Sequence, residues 1–120
     1  MLVASAGLLF AGCGGGDSDL PPDVAKGRDL TVSAGCASCH GAEGQGGLAP
    51  TWQGLVGRDV TLEDGSVVTA DAAYLRRAIT DPAADVVPGY TLKMPENSLS
   101  ADDVDVLLAY IEHVSALDES

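Results

Sequence analysis

Apolar and polar positions recur with a helical period in three stretches of this chain and lose that period between them. Residues 22–36 place Val24, Gly27, Leu30 and Ala34 on one side, with Asp23 as a candidate N-cap, and predict a first helix. Residues 41–50 are rich in glycine and predict a loop. Val60-Thr61-Leu62 and Val67-Val68 flank Glu63-Asp64-Gly65-Ser66, which predicts a small hairpin turning at Asp-Gly. Ala70 to Thr80 predict a second helix, capped by Thr69 or Asp71 and followed by Pro82. Pro82 to Ser98 read as an irregular loop. The last helix has the clearest pattern. Ser100-Ala101-Asp102-Asp103 has the form of a capping box, and Val104, Leu107, Leu108, Ile111 and Val114 make one apolar stripe. His113 falls almost opposite that stripe at ~100° per residue and is expected to be solvated.

The chemistry is concentrated where the first helix ends. Cys36-Ala37-Ser38-Cys39-His40 is a Cys-x-x-Cys-His sequence, the attachment signature of a c-type haem. Two thiols at this spacing can each form a thioether with a porphyrin vinyl group, and the next histidine then faces the iron. A second axial ligand is needed for electron transfer, and Met94 in Leu92-Lys93-Met94-Pro95 is the only methionine besides Met1. His/Met ligation raises the reduction potential. The candidate metal ligands are therefore His40 and Met94, and the cofactor is one covalent haem c on Cys36 and Cys39. A structural zinc would need four nitrogen or sulfur ligands. Beyond the motif only Cys13 and His113 remain. A thioredoxin-like dithiol would sit in a βαβ pattern, which is not visible. A Cys36–Cys39 disulfide would leave His40 without a role.

Composition supports a haem at the centre of the core. From Cys13 onward there is no phenylalanine, and only Trp52, Tyr74, Tyr90 and Tyr110 are aromatic. A domain of ~100 residues with so few rings lacks bulk, which a buried porphyrin would supply. The net charge is −12, from 18 acids against six bases. That charge argues against nucleic acid as a partner and favours redox proteins with basic or neutral docking faces, although it also serves solubility.

The first dozen residues are uncharged and mostly apolar, too short for a spanning helix of ~20 residues but suited to a secretory signal. Leu9-Phe10-Ala11-Gly12-Cys13 resembles the lipobox of bacterial lipoproteins, with Cys13 the candidate lipidated residue; a spare thiol in a secreted protein is the alternative. Gly14-Gly15-Gly16-Asp17-Ser18-Asp19 reads as a flexible tether. The expected organisation is a signal peptide over 1–12, a tether over 13–21 and one domain over 22–117. The expected location is the periplasmic or extracytoplasmic face, with the membrane reached through the lipid.

Gly27 to Val114 resembles a class I cytochrome c domain, and more closely the cytochrome c domain fused to subunit II of caa-type haem–copper oxidases. The resemblance is carried by Cys36-x-x-Cys39-His40-Gly41, Pro50-Thr51-Trp52-x-Gly54-Leu55-x-Gly57 and Val60-x-Leu62-x-Asp64-Gly65-Ser66-x-Val68-x-Ala70-Asp71. It continues through Tyr74-Leu75-Arg76, Ile79-x-Asp81-Pro82, Val86-Val87-x-Gly89-Tyr90 and Met94-Pro95. It implies an all-α cytochrome c fold, three main helices around one covalent haem with a small β-hairpin insertion. The first and last helices would cross at Gly27, against Leu107 and Tyr110. Pro50 would offer its carbonyl to the far nitrogen of His40, or merely turn the loop. Trp52, Arg58 and Tyr90 would line the haem pocket as candidates for bonds to the propionates, or serve packing and surface. Lys93 would be a docking lysine or a replacement ligand at high pH.

The resemblance further implies a one-electron carrier that is not an enzyme and transforms no small-molecule substrate. Its partners would be a terminal oxidase and a quinol-oxidising complex of a respiratory chain. The rival is a haem-bearing electron-entry subunit of a larger oxidoreductase complex. A peroxidase or gas sensor would need a displaceable sixth site, against which Met94 argues.

Overall fold

The computed structural model describes residues 19–117. The expected signal, the lipidation residue Cys13 and most of the tether lie outside the described residues. Four helices and one hairpin follow in the order α1 (Pro22–Ser33), α2 (Ala37–His40), β1 (Asp59–Thr61), β2 (Val67–Thr69), α3 (Ala72–Thr80) and α4 (Ala101–Leu117). The fold is mostly helical with a small two-stranded antiparallel hairpin.

The N-cap of α1 lies two residues before the expected one. Pro21 is the N-cap and makes no side-chain capping bond, Pro22 takes the first helical position, and Asp23 lies inside the first turn. Proline suits that position because its missing N–H would be unpaired there anyway, and the Asp23 charge favours the positive helix end. The helix also stops at Ser33, short of the expected 36. Gly35 adopts φ +84°, and its amide donates to Val32 O at 3.2 Å, a left-handed termination that glycine accepts without strain. Ala34 is therefore exposed, and Thr31, 1% exposed, joins Val24 and Gly27 on the buried face. The thiol motif consequently has its own short helix, α2.

α4 is the backbone of the core. Ser100 Oγ accepts from Asp103 N at 3.1 Å while Asp103 Oδ2 accepts from Ser100 N at 3.2 Å, which closes the capping box. The expected stripe is buried throughout, and Val106, Tyr110 and Ser115 are buried beside it. The buried face is wider than the stripe because α1 crosses α4 over Val106 and Tyr110. At that crossing a Cβ on Gly27 would run into the Val106 carbonyl and stand 2.8 Å from Tyr110 Cβ. Val106, not Leu107, is thus the nearest neighbour along with Tyr110. His113 is half-buried and not fully solvated, on the wall of a hollow of about 430 Å³ shared with Arg28, Glu43 and Tyr110.

α3 starts two residues later than expected because Asp71 is the cap, its Oδ1 accepting from Tyr74 N at 2.8 Å. Ala70 is fully buried and donates its amide to Arg58 O at 2.8 Å. The hairpin pairs Val60 with Val68. Its turn is held by Asp64 Oδ1, which accepts from Ser66 N at 2.9 Å and Ser66 Oγ at 2.6 Å. Those bonds keep the Asp64 carboxyl below the usual carboxylate range. An ion pair from Arg76 to Asp105 at 2.6 Å joins α3 to α4 at the surface. Among the described residues no helix is long and apolar enough to cross a membrane.

Candidate haem site

α2 is one turn of helix, so its last carbonyls need partners from elsewhere. The loop behind it folds back to provide them. Gly46 N donates to His40 O at 2.7 Å and Ala49 N donates to Cys39 O at 3.1 Å. The glycines expected to make a loop therefore have a definite task, since a chain doubling back this tightly needs positive φ at Gly44, Gly46 and Gly47. At Gly44 a Cβ would also stand 2.8 Å from the Trp52 ring and 3.0 Å from Val114 Cγ1.

The returning chain delivers Pro50 and Trp52 to His40. The Pro50 carbonyl lies 2.8 Å from His40 Nδ1. A carbonyl oxygen only accepts, so Nδ1 carries the proton and Nε2 keeps its lone pair free for a metal. Burial pushes the His40 imidazole below its ordinary pKa, while the bond to Pro50 acts the other way. A neutral imidazole with a fixed tautomer is the form a metal ligand requires. Trp52, 6% exposed, stacks on the same imidazole with ring centroids 4.6 Å apart and planes 26° apart.

Cys36 and Cys39 are free, half-buried thiols at the two ends of the turn before His40. Burial raises the Cys36 thiol pKa, against a backbone hydrogen bond that lowers it. The donor set fits a c-type haem: two thiols for thioethers, an imidazole open at Nε2, and one thioether from elsewhere in the chain. Among the described residues no group of three or more histidines, cysteines and acids is placed to hold a metal by itself.

Met94 comes from the long segment between α3 and α4 and is 40% exposed. Tyr90 and Leu92 precede it as exposed apolar side chains, and Val32, Leu48, Val56 and Val67 expose apolar surface from other segments. Lys93 is exposed. Arg58 is also exposed, its amide donating to Leu55 O at 3.0 Å. Of the pocket candidates, the structure thus brings Pro50 and Trp52 onto His40, while Arg58, Tyr90 and Met94 stand at the surface.

Several residues that matter here were given no role of their own by the sequence. Thr51 Oγ1 donates to Gly44 O at 3.1 Å and accepts from Gln53 N at 3.1 Å, bracing the turn that presents Pro50 and Trp52. Ser115, buried in α4, accepts from Val56 N at 2.8 Å and ties the same loop to the last helix. Asn97 Nδ2 donates to Ile79 O at 2.8 Å, joining the Met94 segment to the end of α3. Each is a small polar side chain whose partner is remote in the chain.

A helical domain that offers two thiols and a metal-ready imidazole on one short helix is a haem-carrying electron-transfer domain. The family model for cytochrome c matches residues 24–115, and this chain belongs to the cytochrome c family. No curated protein matches it. Membership makes it a bearer of covalently bound haem c and an electron carrier, a role that is generally non-catalytic.

Proposed function

We propose that the protein is a monohaem electron carrier of a respiratory chain, held by lipid on Cys13 at the outer side of the cytoplasmic membrane. It accepts electrons from a quinol-oxidising complex and passes them to a haem–copper oxidase. Bound haem c supplies a reversible one-electron couple. Cys36 and Cys39 tether it. His40 would ligate the iron in a single tautomer because Pro50 holds its other nitrogen. Met94 would supply the second ligand, which would leave no site for a substrate. The acidic surface, with a formal charge of −12, selects basic or neutral docking faces.

The observation that carries this reading is the pairing, in one cytochrome c domain, of the Cys36/Cys39/His40 turn with the lone internal methionine Met94. The lipobox-like Leu9 to Cys13 supports the anchor, and the resemblance to the oxidase-fused domain supports the acceptor. The test is production of the whole chain in a bacterium that matures c-type cytochromes. The expected product has the mass of the polypeptide from Cys13 onward plus one haem and the attached lipid, sediments with membranes, and is oxidised by membranes containing a haem–copper oxidase. Cys13→Ser should release it into the soluble fraction. A product that is soluble from the start removes the anchor, and one that the oxidase leaves reduced removes the acceptor.

A further inference from the structure

Residues 50–52 reach His40 from two perpendicular directions. Pro50 takes the edge of the imidazole with its carbonyl at 2.8 Å, and Trp52, two residues on, covers a face with centroids 4.6 Å apart. Trp52 is itself held by its own neighbours. Its amide donates to Gly44 O at 2.8 Å, and Gly44 leaves no room beneath it for a side chain. Tyr110 meets it edge-on at 6.2 Å and 88°. Near-parallel stacking on one face and a T-shaped contact on the other ring are both favourable geometries for aromatic pairs. A flat, buried ring so braced leaves the imidazole one orientation.

We propose that Trp52 is a positioning residue for the iron ligand His40. It fixes the plane of the imidazole and shields the Nδ1–H···O=C bond to Pro50 from water. This assigns the indole to the ligand, where the sequence resemblance had offered it to the propionates. The inference rests on His40 being the ligand of a covalent haem. A hydrogen bond kept dry is stronger than one in water.

The test uses the ferrous holoprotein. Exchange of the His40 Nδ1 proton with deuterated water is followed by nuclear magnetic resonance beside the backbone amide of Ile111 in α4. In the unaltered protein the imidazole proton should exchange no faster than that core amide. Trp52→Leu should speed the His40 proton by about tenfold or more relative to Ile111. Trp52→Phe, which keeps a flat ring, should restore most of the protection. In the ferric protein Trp52→Leu should also change the spread of the haem-methyl shifts, which follows the imidazole plane, and Trp52→Phe should change it less.

A purely structural role would speed both protons together and would overturn the proposal. So would a His40 proton that exchanges freely in the unaltered protein, a result that needs no variant to fold. A colourless product would instead remove the haem reading itself, so the two failures are distinguishable.

Discussion

The two candidate iron ligands stand on segments of opposite character. His40 closes a helical turn in which its own amide donates to Cys36 O at 3.0 Å, its carbonyl accepts from Gly46 N, and its ring is bonded to Pro50 and stacked on Trp52. Met94 lies between two anchors. On one side Val86 O accepts from Glu63 N at 2.7 Å, and the neighbouring Asp85 pairs with Arg77. On the other, Asn97 reaches Ile79 O. Among the described residues no hydrogen bond ties residues 87–96 to the rest of the domain. Segments with few bonds open locally at low free energy while the core stays closed. The difference teaches that the fold by itself places the imidazole, whereas residue 94 depends on the two anchors that flank its segment. When the domain loosens, the Met94 segment should open first.

Removing the covalent link tests the stronger side most severely. Cys36→Ser with Cys39→Ser should give a product with the mass of bare polypeptide and little fixed structure by circular dichroism. Among the described residues the core then has only the aromatic rings of Trp52, Tyr74 and Tyr110 to fill it. A doubly substituted chain that keeps its helices would mean that the proximal wall stands without its cofactor.

Next in size is Met94→Ala. The haem should stay attached and the helices unchanged, because no helix depends on residue 94. The reduction potential should fall by on the order of a hundred millivolts, since the thioether favours ferrous iron. An unchanged potential would remove Met94 as ligand and with it the asymmetry between the two sides.

Asn97→Ala sharpens the comparison without touching a ligand. It deletes the anchor three residues from Met94 and should cost about 1 kcal/mol of global stability. Its larger effect should be local: added imidazole should displace the methionine at a several-fold lower concentration, read from loss of the weak ferric absorption band near the red end of the spectrum that sulfur–iron ligation gives (the red-end band). Equal loss in both measurements would show that the segment opens only with the whole domain.

These contrasts explain which features were legible from the residues. The α4 stripe, its capping box, the hairpin turn and the haem motif depend on spacings of four residues or fewer, so local periodicity reveals them. The end of α1 was misplaced because helical period alone would carry it to Cys36, whereas Gly35 breaks it to give the thiols a turn of their own. The stacking of Trp52 on His40 was invisible. It depends on a loop folded back through amide–carbonyl pairs between residues 39–40 and 46–49, and such pairs use the backbone and leave little mark on side-chain identity. Asn97 and Ser115 were missed for the related reason that one small polar residue looks the same whether its partner is water or a distant carbonyl.

Alkaline pH gives the smallest expected effect and probes both sides at once, because one buried tyrosine lies on each. Tyr110 stands behind Trp52, and Tyr74 lies near the Arg77–Asp85 anchor. Burial raises both hydroxyl pKa values above the ordinary 10.0; at Tyr74 the Asp85 charge adds to the rise and Arg77 opposes it, while at Tyr110 Arg28 opposes and Glu43 adds. Above pH 10 the unfolded chain therefore releases these protons before the folded one does. With fewer protons bound by the unfolded state, stability falls as pH rises from the ordinary tyrosine value through the raised folded ones. Urea unfolding between about pH 9 and 11 should show that decline, and Tyr74→Phe or Tyr110→Phe should each flatten it. Only Tyr74→Phe should also delay loss of the red-end band, because an ionised Tyr74 beside Asp85 would weaken the anchor of the Met94 segment and leave His40 untouched. If Tyr110→Phe preserved that band equally well, the proximal and distal sides would be coupled through the core, and the unequal holding of the two ligands would be wrong.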